Sequence, residues 1–325
     1  MTEKSEISSS NIPVLPYYEI KGQKSLKLAL EIAYIVGPRI GGVLISGERG
    51  TGKTTIVRSF SKMMFDDLPI TLPINATEDR VVGGWDIQSI MTGKADKRNG
   101  LLADSDGKML YVDEINLLDD HIVNIILDTT ATGILSVQRQ GIDIPAKKTS
   151  FILVGTMNPE EGHLRPQLLD RFGLMVNVVT EPDQRMDILN AVLKFDLFLS
   201  EFDENSPEKI HEYNELHKNQ SKKNKLEWAK ENLYKTKIHE TVISKCIELA
   251  ESFEAVGHRA DYILALSARA MAAREAADDI KDENKIEVTK KHLGAVARMA
   301  LEHRRKDRKK WSKTDDDLVS DILGL

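Results

Sequence analysis

The sequence predicts an α/β fold, a parallel sheet with helices on both faces, followed by a smaller all-helical part. Three observations lead there. Gly47-Glu48-Arg49-Gly50-Thr51-Gly52-Lys53-Thr54 fits the phosphate-binding pattern G-x-x-x-x-G-K-[ST] and lies between an apolar run and a helical pattern. Up to about residue 202, short apolar runs alternate with segments of helical period, the signature of strands joined by helices. Beyond residue 238, apolar side chains recur only at helical spacing.

Residues 1–16 are Ser-rich, carry Glu3 and Glu6 and have no apolar core, which predicts a disordered tail and not a targeting peptide. Leu26, Leu30 and Ala33 recur at helical spacing and predict a helix over about 25–36. Val43-Leu44-Ile45-Ser46 is a buried strand, and residues 55–64 form the helix after the loop. Residues 68–74 contain two prolines and predict a short, edge-like strand. Residues 77–108 are polar and glycine-containing and read as an insertion with one weak helix near 85–91. Met109-Leu110-Tyr111-Val112 is the next strand, and a helix follows over about 119–130. Two extended runs around Arg139-Gln140-Gly141 predict a hairpin over 134–144. Strands over 150–155 and 174–179 and a helix over about 182–202 complete a core of residues 17–202. Residues 203–238 are rich in Lys, Glu and Asn and read as a partly helical connector. A helical lid spans 239–325, with amphipathic helices near 239–255, 261–278 and 289–305 and a loose or briefly helical end.

The chemistry starts at the loop. A triphosphate needs many donors at short range, and glycines let the backbone curl so that its N–H groups converge on the anion. Residues 47–54, with Thr55 at the start of the helix, would cradle ATP, Lys53 would reach the β- and γ-phosphates, and the Thr54 hydroxyl would hold Mg2+. Asp113 and Glu114 end an apolar strand, where one carboxylate can hold Mg2+ and the other can activate the attacking water. Asn158 follows a strand whose tip should line the ligand crevice, and there it could hold that water; an ordinary Asn-Pro turn explains it equally well. Arg171 could reach a neighbour's γ-phosphate, although taken alone it reads as a surface ion pair with Asp170 or another acid. Arg259 precedes a helix for which Asp261 could serve as N-cap, and it could reach back over a nucleotide or simply be exposed. The basic cluster of Arg304, Arg305, Lys306, Arg308, Lys309 and Lys310 reads as a cap on the preceding helix.

Bulk properties exclude other classes. The net charge is −6, where a dedicated nucleic-acid binder would be basic. No apolar run approaches the roughly 18 residues of a membrane span. Cys246 is the only cysteine, so it can form neither an internal disulfide nor a cysteine metal site; it falls in a helical apolar pattern and fits a packing role in a reducing cytoplasm.

The runs Leu110-Tyr111-Val112-Asp113-Glu114-Ile115-Asn116-Leu117-Leu118-Asp119-Asp120-His121 and Val154-Gly155-Thr156-Met157-Asn158-Pro159-Glu160-Glu161-Gly162, together with residues 164–174, closely resemble the ATPase subunit I of magnesium chelatase, an AAA+ family. The resemblance extends from Gly22-Gln23 to Ala300-Leu301-Glu302-His303-Arg304. It implies an AAA+ core and lid, with Asp113 and Glu114 as the Walker B acids, Asn158 as sensor 1, Arg171 as an arginine finger and Arg259 as the sensor 2 arginine. It also implies that ATP hydrolysis drives Mg2+ insertion into protoporphyrin IX. The partners it implies are further copies in a ring, usually a hexamer, a larger AAA+ subunit with a von Willebrand factor A domain, and a porphyrin-binding catalytic subunit. The chain departs from the family pattern at Lys21, Asn99-Gly100 and Asp104-Ser105-Asp106, all outside the nucleotide site. A chelatase-like remodelling ATPase working with a von Willebrand factor A partner outside tetrapyrrole metabolism fits the same residues.

Two substitutions separate binding from turnover. Lys53→Ala should abolish nucleotide binding or turnover, whereas Glu114→Gln should bind ATP and fail to hydrolyse it. Equilibrium binding of a fluorescent nucleotide and phosphate release measure the two; normal hydrolysis by Glu114→Gln would refute the role given to that carboxylate.

Overall fold

The computed structural model describes residues 12–85, 97–139, 142–180, 182–200, 219–255, 257–279, 286–307 and 309–325. Helix α1 (Lys24–Val36) leads into strand β1 (Val43–Gly47), and helix α2 (Lys53–Phe65) begins at the lysine of the loop. Strands β2 (Ile70–Leu72), β5 (Met109–Val112), β8 (Ile152–Met157) and β9 (Leu174–Val178) join β1 in a five-stranded sheet of order β2-β5-β8-β1-β9. Every neighbouring pair is parallel. The short strand with flanking prolines stands at the sheet edge, where missing N–H donors are tolerated.

Strand period sorts the core into two faces. Val43, Ile45, Met109, Tyr111, Ile152, Val154, Leu174 and Val176 are buried on the face that carries α1 and α2. Leu44, Leu110, Val112, Leu153 and Met175 are buried on the other, against helix α5 (Asp120–Thr132). That helix starts where the Asp119 carboxylate accepts from the His121 N–H at 2.8 Å, and it ends at Gly133 in the left-handed conformation. Its buried Ile122, Val123, Ile126 and Leu127 recur at helical spacing.

Several expectations change. The insertion holds helix α3 (Glu78–Val82), an antiparallel pair of strands β3 (Gly83–Trp85) and β4 (Lys97–Asn99), and the single turn α4 (Leu101–Asp104). Trp85 therefore ends a strand and does not open a helix; the rest of the expected 85–91 helix lies outside the described residues. Strands β6 (Ile134–Arg139) and β7 (Ile142–Lys148) pair antiparallel as the expected hairpin, with turn residues 140 and 141 outside the described ones. The strand expected over 150–155 runs two residues later, which puts Asn158 at its tip. A single turn α6 (Pro166–Leu169) precedes β9, and helix α7 (Arg185–Ser200) follows it. Of the expected tail, Leu15 is already buried in the core, while residues 1–11 are not described.

The helical part comprises α8 (Asn219–Asn232), α9 (Glu240–Ser252), α10 (Arg259–Asp279), α11 (Lys290–Leu301) and α12 (Lys313–Leu323). Helix α8 lies within the stretch expected to be a connector, yet its Leu226 and Ala229 are buried in the same apolar cluster as α1 and the sheet. The chain end is an ordered helix because Ser312 and Asp315 form a reciprocal capping box. Asp261 lies inside the first turn of α10, which begins at Arg259, so it is not the N-cap.

Two polar clamps join the halves. Glu31 of α1 is 2% exposed and accepts from the Tyr17 hydroxyl at 3.1 Å, from Lys222 of α8 at 3.1 Å and from the Arg274 guanidinium of α10. Burial and the Glu31 charge push the Tyr17 hydroxyl well above its ordinary pKa, which keeps it a donor. At the other clamp the fully buried Arg304 side chain donates to the carbonyls of Gly173 at 2.9 Å, Asp170 at 3.3 Å and Phe172. His303 bonds the Phe172 carbonyl through Nε2 at 3.0 Å, and since a carbonyl only accepts, that nitrogen carries the proton. Arg304 also donates to the Ala300 carbonyl in the last turn of α11, so it caps that helix as the basic cluster suggested and ties it to the start of β9 as well; Arg305 pairs with Asp315 at 2.9 Å.

Glu31→Ala would leave Lys222 and Arg274 facing each other in a buried site. Urea denaturation should register a loss of about 3–5 kcal/mol; a loss below about 1 kcal/mol, the value of an exposed pair, would contradict the role given to this clamp.

Candidate nucleotide site

Because the five strands are parallel, all their carboxyl ends meet at one edge of the sheet, and the loop lies there between β1 and α2. Gly50 and Gly52 have φ of +79° and +81°, a conformation that other residues adopt only at a cost. The first turn of α2 opens directly into the loop, so its unpaired N–H groups and positive dipole end face the space an anion would fill. Lys53 Nζ donates to the carbonyls of Gly47 at 2.7 Å and Glu48 at 2.6 Å. Burial draws its pKa below the ordinary lysine value, while Asp113, Glu114, Glu161 and Glu48 pull the other way.

The acids arrive on the neighbouring strands. Val112 pairs with Gly155, so Asp113 and Thr156 follow at the same level of the sheet. Strand period turns both toward α2. The Asp113 carboxylate accepts through Oδ1 from the Thr156 hydroxyl at 2.6 Å and from the Tyr111 hydroxyl at 2.9 Å. Glu114 adopts a left-handed backbone, φ +52°, uncommon for a residue with a side chain. Its N–H donates to Thr156 Oγ1 at 3.1 Å. Its carboxylate lies 3.2 Å from Arg49 of the loop, which also contacts Glu161 at 2.5 Å. The Asn158 side chain is buried and accepts from the Glu160 N–H at 3.3 Å, so it sits at the tip of β8 with its amide held in place. Glu48, Arg49, Lys53, Thr54, Asp113, Glu114 and Asn158 thus share one edge.

Arg171 and Arg259 do not join them. Gly41 and Gly42 precede β1, and Arg171 precedes β9, so both lie where strands begin. Five residues of β1 separate that edge from the loop by roughly 17 Å. Arg171 pairs with Asp128 near the carboxyl end of α5 at 2.7 Å and contacts the Asn124 side chain at 3.2 Å, with 39% of its side chain exposed. Arg259 donates to the Arg171 main-chain carbonyl, and burial together with the nearby Arg171 charge draws its pKa down against the pull of Asp170. The tertiary fold thus sets Arg259 beside Arg171, at the edge opposite the loop of its own chain.

A cavity of about 860 Å³ adjoins the loop, and its lining includes Gly47, Glu48, Thr51, Arg298 and Trp311. Lys53, Thr54, Asp113 and Glu114 do not line it, so it borders the acid cluster without containing it. Two residues that the site uses were not read from the sequence, Tyr111 and Thr156. Tyr111 stands two residues before Asp113 on the same strand face, whereas only the register of β5 with β8 brings Thr156 level with Asp113.

Fold and site together define a P-loop ATPase of the AAA class. The profile of the AAA domain (dynein-related subfamily) matches residues 42–172. "Magnesium-chelatase subunit ChlI" of Olisthodiscus luteus is 36% identical, covering 94% of this chain and 94% of its own length. "Magnesium-chelatase 38 kDa subunit" of Rhodobacter capsulatus is also 36% identical, over 90% of this chain and 88% of its own. The crystal structure of a putative ATPase from Cytophaga hutchinsonii shares the fold, with a TM-score of 0.64 at 18% identity over 94% of this chain and 90% of that one. The chain belongs to the magnesium-chelatase ATPase subunit I family.

Proposed function

We propose that this chain is the ATP-hydrolysing motor subunit of a magnesium chelatase, driving insertion of Mg2+ into protoporphyrin IX. The observation that carries the reading is the division of labour between the two sheet edges. Loop and acids stand at one, and Arg171 and Arg259 at the other. A single copy holds an incomplete site, and a second copy that presents its amino edge to the loop of the first completes it. The chain thus acts in a homo-oligomeric ring, a hexamer by family resemblance. It works with a larger AAA+ subunit bearing a von Willebrand factor A domain and with a porphyrin-binding catalytic subunit. A cytoplasmic site of action suits a chain whose lone Cys246 is buried and free, and among the described residues no helix is long and apolar enough to cross a membrane.

Backbone N–H groups of residues 47–55 and the Lys53 ammonium bind the phosphates. Thr54 and Asp113 would hold the Mg2+ that accompanies ATP. Their oxygens suit a hard cation, and both lie within hydrogen-bond distance of the same Tyr111 hydroxyl. Bound there, the ion offsets charge on the β- and γ-phosphates. Glu114 takes a proton from the attacking water, with Asn158 orienting that water. Arg49, shared between the Glu114 and Glu161 carboxylates, orients the Glu114 carboxylate. Arg171 of the adjoining copy offsets charge as the bond between γ-phosphorus and the bridging oxygen breaks, and Arg259 beside it shares that face.

Mixing defective copies tests the shared site. Arg171→Ala and Glu114→Gln chains should each be nearly inactive alone. An equimolar mixture should recover about a quarter of native turnover, because half of the intact acid sites then border a copy with an intact arginine. No recovery in mixtures shown to co-assemble, or full activity of Arg171→Ala alone, would oppose the arrangement. The chelatase assignment is checked by reconstitution with candidate large and porphyrin-binding subunits. Metalation of deuteroporphyrin, followed by fluorescence, should require ATP and this chain. ATP turnover in the assembled complex without metalation would count against it.

A further inference from the structure

Thr54 and Asp113 come from different elements, and the residue joining them is Tyr111. Its ring is 1% exposed in the core beneath α2, and its hydroxyl oxygen lies 3.0 Å from Thr54 Oγ1 and 2.9 Å from Asp113 Oδ1. A phenol has one proton. The carboxylate can only accept, so the Tyr111 proton goes to Asp113, and the Thr54 hydroxyl donates in turn to the Tyr111 oxygen. From the other side Thr156 donates to the same Oδ1 at 2.6 Å and accepts the Glu114 N–H at 3.1 Å. The result is one directed chain, Thr54 to Tyr111 to Asp113, met by Glu114 N–H to Thr156 to Asp113.

The directions matter. With its proton committed to Tyr111, Thr54 has lone pairs to offer. Both hydroxyl bonds fall on Oδ1 of Asp113, and Oδ2 takes neither. The same chain fixes the main chain at Glu114, whose left-handed conformation needs support from its surroundings. Outer partners of this kind orient metal ligands.

We propose that Tyr111 is a positioning residue that sets the affinity of the nucleotide site for Mg2+, with Thr156 as its counterpart on β8. The proposal rests on the reading of Thr54 and Asp113 as the pair that holds the metal, and it adds residues outside the loop and acid motifs.

The experiment is a Mg2+ titration of the full chain with a fluorescent ATP analogue, starting in EDTA, with nucleotide affinity as the readout. Tyr111→Phe keeps the ring and removes the hydroxyl. Its affinity in EDTA should stay within about twofold of native, and the Mg2+ concentration for half the full effect should rise about tenfold or more. A folded Tyr111→Phe with the native Mg2+ dependence overturns the proposal. Should that variant fail to fold, Thr156→Ser and Thr156→Val decide. Serine, which keeps the hydroxyl, should follow the native curve, and valine should be displaced; coincident curves overturn it. Two further results separate this inference from the reading beneath it. Nucleotide binding and turnover that both survive Lys53→Ala remove the loop assignment. A native chain whose nucleotide affinity ignores Mg2+ removes the metal pair and the proposal together.

Discussion

With five strands all running one way, the sheet has an edge where every strand ends and another where every strand begins, and a side chain cannot change edges without a new connection. This polarity governs the chemistry open to the molecule. Backbone donors of the loop, the α2 dipole and the acids after β5 all fall on the ending edge because each follows a strand. Arg171 precedes a strand and must lie on the other. A parallel sheet thus separates the glycine loop from the arginines by the length of a strand.

The same polarity makes the attachment of the helical part consequential. It does not hang from the sheet by a linker with a core of its own. One apolar cluster runs from the α2 face through α1 into α8, α10 and α11. Glu31 collects three donors from three segments within that cluster, and Arg304 gathers carbonyls at the start of β9. Removing one partner from such a buried set strands the others without water, so the clamps bind the halves tightly. Arg259 is bonded to the Arg171 carbonyl, and the two form one face.

At the ending edge, charge is balanced within a small volume. Lys53 is half-buried between two loop carbonyls and faces several carboxylates; Arg49 spans Glu114 and Glu161. The neutral hydroxyls of Thr54, Tyr111 and Thr156 bring these charged groups to defined positions without adding charge. A hydroxyl both donates and accepts, which allows a directed chain that a further carboxylate or lysine could not make.

Local features were legible in the sequence. Gly47 to Thr54, the apolar runs of β1, β5, β8 and β9, the acids at 113 and 114, and the period of α5 each depend on neighbours a few residues away, and each stands where it was read except β8, which runs two residues later. The insertion and the supposed connector were less legible, because α8 carries few apolar residues and is held by packing against distant elements. The roles of Glu31, Arg304, Tyr111 and Thr156 depend on partners 14 to 243 residues away in the case of Glu31, and on the strand register that sets Asp113 level with Thr156. The position of Arg259 is the clearest case. The sequence determined the glycine loop, the helix that follows it and the two acids at a strand end, because each is written within a short stretch. Tertiary structure alone decided which edge each arginine occupies, because strand order and direction are properties of contacts between segments far apart in the chain.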